Sequence, residues 1–192
     1  MGLRTWLAER GIAPATVAVN AFCLTEMSGH PDLRARLEFH GVPYRSLWQT
    51  GAHSALEQHA PCLFRSDAES AFDQWLGSTL GTLPLTVLFT RLPADHMAAH
   101  LRRFTKFHDD EGRYFLRLGD PASLRLYLDA VSHDPAVVAR LFGQRGMEAL
   151  YVHDTRIALS RHVQPLFEQG WDSTGREGYL VWQEIDAQQE TT

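Results

Sequence analysis

The feature that most constrains the fold is a short apolar run near the middle of the chain, "LPLTVLFTR" at residues 83–91. Apart from its final arginine, every residue is apolar or β-branched, and the run is too short for a typical buried helix. A run of this kind is typical of a strand that is covered on both faces. The sequence therefore predicts a sheet with this strand in its middle.

Helical and extended patterns alternate before that strand. Gly11 closes a first short helix in "LRTWLAERG", and the apolar residues 16–24 that follow predict a strand. In "HPDLRARLEFHG", Pro31 stands at a plausible first helical position and Gly41 follows the last one. The sequence predicts a helix there, followed by an extended or turning segment, "VPYRSLWQ".

Two further helices are predicted between residue 52 and the central strand. Residues 52–60 form a short helical pattern that Pro61 stops, because proline lacks a backbone N–H. Ser66 and Glu69 have the spacing of a capping box. We expect them to open a helix that buries Phe72, Trp75 and Leu76.

An amphipathic pattern follows the central strand. In "PADHMAAHLRRFTKF", Met97, Leu101 and Phe104 recur at helical spacing, and a polar turn then leads to another strand, "RYFLRL". Strands that alternate with helices favour an α/β sheet, although this pattern leaves parallel and antiparallel order open. We expect a mixed central sheet flanked by helices.

Two Asp-Pro pairs predict consecutive helices after that sheet. Asp120-Pro121 and Asp134-Pro135 each offer an aspartate that can accept backbone N–H bonds and a proline preset for the first helical position. We expect an α/β lobe at residues 1–119 and a smaller, mainly helical lobe at 120–192. The second lobe also holds a short hairpin, "MEALYVH" and "RIALSRH", a last strand in "YLVWQEI" and a flexible tail.

Composition and cysteine spacing limit the partners and the compartment. Lys and Arg number 18 against 23 Asp and Glu, and no basic cluster is interleaved with aromatic residues, so nucleic acid is not an expected partner. No run reaches the roughly 20 apolar residues that span a bilayer. Cys23 and Cys62 belong to no metal-binding spacing, and we expect two reduced, buried thiols in a cytoplasmic protein.

The sequence contains no convincing catalytic motif. His96 and His100 have helical i, i+4 spacing, but Met97 occupies the position where an HExxH motif carries glutamate, and no third ligand has matching spacing. We expect the two histidines on a solvated helix face. A nucleophile elbow and glycine-rich phosphate loops are absent from the sequence. We therefore expect no enzymatic activity, no cofactor and no metal.

Aromatic and basic residues suggest protein contacts instead. Tyr44 and Trp48 lie on a connecting segment, which makes them better interface candidates than the core aromatics of the neighbouring helix. The basic cluster Arg102, Arg103 and Lys106 is either a solvated helix face or a contact for an acidic partner.

The order of several segments resembles the bacterial type VI secretion effector chaperones, also called adaptor proteins. The resemblance covers residues 17–161 and rests on "PYRSLWQ", "APCLFRSDAESAFDQWL", "LTVLFTRLPADHMAAHLRRFTKFHDDEGRYFLRLGDPASLRLYLDAV" and "ARLFG". In that family an aromatic-Tyr-Asp-Pro-Arg run opens the helical lobe. Asp120 and Pro121 keep this pattern, whereas Leu118, Gly119 and Ala122 depart from it.

The resemblance implies a binding function rather than catalysis. Such a protein holds one toxic effector, usually encoded next to it, and helps to mount the effector on the spike protein of the secretion machine. We expect a groove between the two lobes to receive a helix or strand of the effector, and we expect six residues to contact partners: Tyr44, Arg45, Trp48, Asp120, Pro121 and Leu124. An immunity protein that neutralises a toxin and a metal-dependent hydrolase remain alternatives.

Overall fold

A computed structural model describes residues 1–12, 19–48, 57–108, 110–143, 146–168 and 174–186. In this part of the chain an eight-stranded sheet lies between two groups of helices. The start of the predicted strand 16–24, most of the predicted helix 52–60 and the predicted tail after Asp186 lie outside the described residues. Of that helix, the structure describes a 3-10 turn at Glu57–His59.

The described strands fall into one large sheet and one small hairpin. In chain order they are β1 (Asn20–Glu26), β2 (Tyr44–Ser46), β3 (Pro61–Arg65), β4 (Leu85–Thr90), β5 (Lys106–His108), β6 (Arg113–Phe115), β7 (Ala149–Asp154), β8 (Leu159–Pro165), β9 (Arg176–Glu177) and β10 (Leu180–Glu184). The large sheet has the order β2-β3-β1-β4-β7-β8-β10-β9, and β5 pairs with β6. All six residues of β4 are buried, which confirms the predicted central strand.

The expectation of a mixed sheet is wrong, because every neighbouring pair of these strands is antiparallel. Strands β3 and β4 do run in the same direction and a helix joins them. However, β1 lies between them and opposes both. The chain therefore alternates helix and strand here as a parallel sheet does, but β3 and β4 are not hydrogen-bonded to each other.

The helices that were expected from capping and periodicity are present. They are α1 (Leu3–Glu9), α2 (Leu33–Phe39), α3 (Ala71–Ser78), α4 (Ala94–Arg102), α5 (Pro121–Val131) and α6 (Pro135–Leu141). Gly11 and Gly41 follow α1 and α2 with φ of +71° and +62°, the left-handed conformation that glycine adopts without strain. Within the described part of the chain, no helix combines the length and apolarity that crossing a bilayer requires.

Two predicted helix starts are wrong in detail. Helix α3 begins after Ser70, whose hydroxyl accepts the Asp73 N–H at 3.0 Å, whereas the Ser66 hydroxyl donates to the Asp73 side chain. Glu69 has φ of +63° and lies outside the helix, so the predicted capping box does not form. Helix α2 begins at Leu33 rather than at Pro31.

The two Asp-Pro pairs both begin helices but differ in their hydrogen bonds. Asp134 accepts the backbone N–H groups of Ala136 and Val137 at 2.9 and 3.1 Å, as predicted. Asp120 makes no such cap and instead accepts the Ser123 hydroxyl at 2.8 Å. The aspartate cap is therefore confirmed at α6 and wrong at α5.

Each face of the sheet is covered by its own helices and has its own core. The first core contains residues of α1, α2 and α3 packed on strand residues such as Cys23 and Val87. The second core contains residues of α4, α5 and α6 packed on strand residues such as Leu24 and Leu88. Successive strand residues thus enter opposite cores, which is why the central strand β4 carries only apolar and β-branched residues on both faces.

The C-terminal strands continue the same sheet. The predicted hairpin is confirmed as β7 and β8, and β7 pairs with β4 over Leu85–Phe89. Strands β7 to β10 thus belong to the sheet that β1 to β4 begin. The division of the chain into lobes at residues 1–119 and 120–192 stays a prediction.

Candidate functional site

The predicted contact residues are divided between the two faces of the sheet. Tyr44 is half-buried against the first core, whereas Trp48 is half-buried against the second. Leu124 is buried in the second core, and Pro121 is buried at the start of α5. The structure therefore brings Trp48 and Leu124 to one face and leaves Tyr44 on the other.

Arg45 and a second arginine cover the outer edge of β2, the first strand in the order of the described sheet. Arg45 forms an exposed ion pair with Asp95 of α4, and its hydrogen bond holds the pKa of Asp95 below the ordinary value. Arg45 also donates to the Tyr44 carbonyl at 3.2 Å, and Arg102 donates to the Ser46 carbonyl at 2.8 Å. The pairing with β3 leaves both carbonyls pointing outward. A partner strand at this edge would have to displace two guanidinium groups.

A cluster of five charged residues lies where β1 and β7 end. We call it the Glu26 cluster: Glu26, Arg117, Asp120, Asp154 and Arg156. Arg117 donates to both Glu26 oxygens at 2.8 and 2.6 Å. Arg156 donates to both Asp154 oxygens at 2.9 and 2.7 Å and lies 3.5 Å from Asp120.

The sheet topology brings these residues together. Strands β1 and β7 flank β4 and oppose it, so they run in the same direction and their last residues, Glu26 and Asp154, reach the same end of the sheet. The strand alternation directs both carboxylates toward the face that carries α5. Asp120 stands at the first turn of α5, next to them. The cluster therefore joins the ends of two strands to the start of a helix.

Two acids of the cluster are buried and both of its guanidinium groups are exposed. The side chains of Glu26 and Asp154 are 10% and 1% exposed, against 56% for Arg117 and 61% for Arg156. Burial would raise the pKa of Asp154, but hydrogen bonds from Arg156 outweigh it and lower that pKa. The hydrogen bond to Glu26 raises the pKa of Arg117. The cluster thus presents fixed positive groups to solvent.

Two aromatic side chains and a lysine meet at the β5-β6 hairpin. We call Trp48, Lys106 and Phe115 the aromatic corner. The rings of Trp48 and Phe115 meet edge to face with centroids 6.1 Å apart, and the Lys106 ammonium lies 5.5 Å from the Phe115 ring. Phe115 is 61% exposed and precedes Arg117 by two residues. Sequence reasoning identified Trp48 but missed Phe115 and Arg117, because the run "RYFLRL" indicated only a strand.

The two histidines of α4, His96 and His100, differ in their surroundings. His96 is exposed, as expected for a solvated face, but that expectation is wrong for His100, which is buried with its Nε2 3.2 Å from the Leu141 carbonyl oxygen. Packing of α4 beside the end of α6 covers this ring. Among the described residues, no group of three or more His, Cys, Asp or Glu side chains could hold a metal ion.

The arrangement is suited to binding. Both buried carboxylates already accept hydrogen bonds from arginines, so neither is available as a free general base. Exposed arginine and aromatic side chains are residue types that are enriched in protein interfaces. The Glu26 cluster and the aromatic corner together form the candidate site.

Comparison with known protein families finds a match. A family model described as "Domain of unknown function (DUF4123)" matches residues 21–136, more than half of the chain. No curated protein and no solved structure matches the chain. The matched part runs from β1 into α6 and includes the aromatic corner with three members of the Glu26 cluster, Glu26, Arg117 and Asp120.

Proposed function

The chain belongs to the DUF4123 family, which is associated with type VI secretion effector adaptors, and from this premise we propose that it is a non-enzymatic adaptor. In this proposal it binds one secreted effector, encoded near it, and helps to load that effector onto the spike protein in the bacterial cytoplasm. The observation that carries the proposal is the exposed side chain of Phe115, two residues before the exposed, acid-bound guanidinium of Arg117, inside the matched part of the chain.

The aromatic corner supplies an apolar anchor. Covering a phenylalanine side chain that solvent now reaches contributes about 1.5–3 kcal/mol when burial is complete. Trp48 supports the ring from one side, so the Phe115 side chain is partly ordered before a partner arrives. These features suit a specific contact with an effector that can later dissociate.

The Glu26 cluster supplies orientation. Arg117 and Arg156 are held by buried acids, so their remaining N–H groups point to solvent from fixed positions. A partner that offers backbone carbonyls or carboxylates meets donors that are already in place. The acids of the cluster compensate the charges of the two guanidinium groups. We therefore expect the cluster to bind a partner through directed hydrogen bonds rather than through long-range electrostatic attraction.

A pull-down tests the function. The tagged chain is recovered from its native host and its partners are identified by mass spectrometry. We expect a toxin together with a secretion spike protein. Export of that toxin is then measured with and without the chain, and unchanged export would contradict the adaptor proposal.

A pair of matched variants tests the site. Phe115→Ser removes the anchor, and Phe39→Ser removes an equally apolar residue that is 79% exposed on α2, against the other face of the sheet. We expect only Phe115→Ser to reduce recovery of the effector, by about tenfold, while both variants fold normally. Equal recovery with both variants would show that the effector binds elsewhere.

The alternatives predict other outcomes. An immunity protein would protect cells from the toxin without aiding its export, and this outcome would replace the adaptor proposal. A metal-dependent hydrolase would carry a metal ion after purification, which elemental analysis of the isolated chain would detect.

A further inference from the structure

A cleft of about 340 Å³ opens between the end of α4 and the end of α6. Its described lining consists of His100, Arg103, Phe104, Ala139, Arg140 and Phe142. None of these residues belongs to the aromatic corner or to the Glu26 cluster. The cleft is therefore a separate feature of the surface.

The charge of the cleft is unbalanced. Among the described residues, no carboxylate lies within ion-pair distance of Arg103 or Arg140. The described part of the lining contains no acid. The whole chain carries a formal charge of -5, so this basic site is not the result of a generally basic surface. Two unpaired guanidinium groups at one cleft favour a ligand with a carboxylate.

The walls of the cleft are apolar and aromatic. Phe104 and Phe142 are buried at its sides, and the His100 ring packs on Phe104 with centroids 5.3 Å apart. Burial lowers the pKa of His100, which keeps this ring neutral near pH 7. A ligand that fits must therefore combine a negative group with an apolar group.

We propose that this cleft binds an acidic peptide segment of a partner protein, with an Asp or Glu side chain between Arg103 and Arg140 and a neighbouring apolar side chain against Phe104 and Phe142. A peptide fits better than a free small molecule. Both arginines are exposed at the mouth, whereas pockets for small molecules enclose most of their ligand. The inference stands on the cleft alone and does not require that the partner be a secreted effector.

A peptide selection tests the proposal. The full chain selects binders from a random dodecapeptide phage library, and the enriched peptides are synthesised and titrated against three proteins. These are the natural chain, the double variant Arg103→Gln with Arg140→Gln, and a control double variant with the same change in charge, Arg36→Gln with Arg65→Gln. The control arginines are exposed and belong to α2 and β3. Thermal unfolding verifies that all three are folded.

The expected peptides carry Asp or Glu next to an apolar residue. Their affinity should fall about tenfold or more in the Arg103/Arg140 variant and stay within about twofold in the control, as expected for the loss of charged hydrogen bonds. Replacing the peptide's Glu by Gln should cause a similar loss. Enriched peptides without acids, or equal affinity for both double variants, would overturn the proposal. Binding of N-acetylglutamate as tight as that of the peptides would also overturn it.

Discussion

Arg117 donates two hydrogen bonds to Glu26, from Nε to Oε1 at 2.8 Å and from Nη2 to Oε2 at 2.6 Å. The two residues are 91 positions apart, and their pairing joins the segment before α5 to the end of β1. Glu26 is buried and Arg117 is exposed. Loss of the arginine would leave a buried carboxylate without its charged donor, whereas loss of the acid would leave a guanidinium that water can solvate.

Removing the arginine should therefore destabilise the fold. Arg117→Gln leaves a buried carboxylate without its charged donor, and we expect the free energy of unfolding in urea to fall by about 1–3 kcal/mol. The double variant Glu26→Gln with Arg117→Gln removes that charge and should recover part of the loss. If the single and double variants unfold at the same urea concentration, the pair has no such role.

Gly119 lies against the backbone of β1 and should not tolerate a side chain. A Cβ atom there would lie 2.8 Å from the Glu26 nitrogen and from the Thr25 carbonyl carbon. We expect Gly119→Ala to cost about 1–3 kcal/mol in unfolding free energy, because two backbone segments must separate. Gly81→Ala is the control, since a Cβ atom at Gly81 would meet no other atom within 4 Å. Equal stability of the two variants would contradict this account.

The cap at α6 should contribute measurable stability. Asp134→Ala removes the acceptor for two backbone N–H groups, and we expect a loss of about 1 kcal/mol in thermal or urea unfolding. Asp134→Asn keeps an acceptor oxygen and should retain most of this stability. A loss of the same size in both variants would show that charge, rather than capping, is responsible.

Acid should weaken the fold through buried histidines. His153 Nε2 donates to the Leu80 carbonyl at 2.7 Å, and its Nδ1 lies 2.9 Å from the Tyr151 hydroxyl, which also lies 3.0 Å from the Ser160 hydroxyl. Burial lowers the pKa of His153 from its ordinary 6.5. As pH falls, His153 therefore takes up a proton in the unfolded chain before it does so in the folded chain. The free energy of unfolding should fall as pH drops below about 6.5 toward the lower pKa of His153 in the folded state.

Urea unfolding between pH 7.5 and pH 5.5 measures this effect. His153→Gln removes the titrating group, so the variant should lose less stability over that range than the natural chain. His100 and His162, whose pKa values burial also lowers, should leave a smaller dependence in the variant. An unchanged pH dependence would exclude His153 as a source.

The cysteines should be unreactive until the chain unfolds. Burial raises the pKa of both Cys23 and Cys62 to about 12, which leaves almost no thiolate at pH 8. We expect a thiol reagent such as DTNB to label neither residue in the native protein and both in guanidinium chloride. Rapid stoichiometric labelling of the native protein would contradict their burial.

The central strand was predictable because burial on both faces leaves a continuous apolar run. Strand order was not, because it depends on which distant segment pairs with which, and β1 separates β3 from β4 without any local signal. The start of α3 shows the same limit. Ser66 and Ser70 each precede an acid by three residues, and only the folded chain determines which hydroxyl meets the helix.

The candidate site was predictable only in part. Asp120 stood out through its Asp-Pro pair, and Trp48 through its position on a connecting segment. Glu26, Arg117 and Arg156 carry no motif, and they meet because β1 and β7 end together. Exposure of Phe115 depends on how the β5-β6 hairpin lies beside Trp48, which no spacing in the sequence encodes.

The pairing of β4 with β7 has a consequence for synthesis on the ribosome. Strand β4 leaves the exit tunnel well before its neighbour, since α4, β5, β6, α5 and α6 are made between them. Until β7 emerges, one side of a strand that buries all six of its residues has no partner, and unpaired strand edges of this kind promote aggregation. A chain cut at residue 136, the end of the family match, would keep that edge permanently open. We therefore expect ribosome pausing or premature termination before β7 to yield insoluble protein.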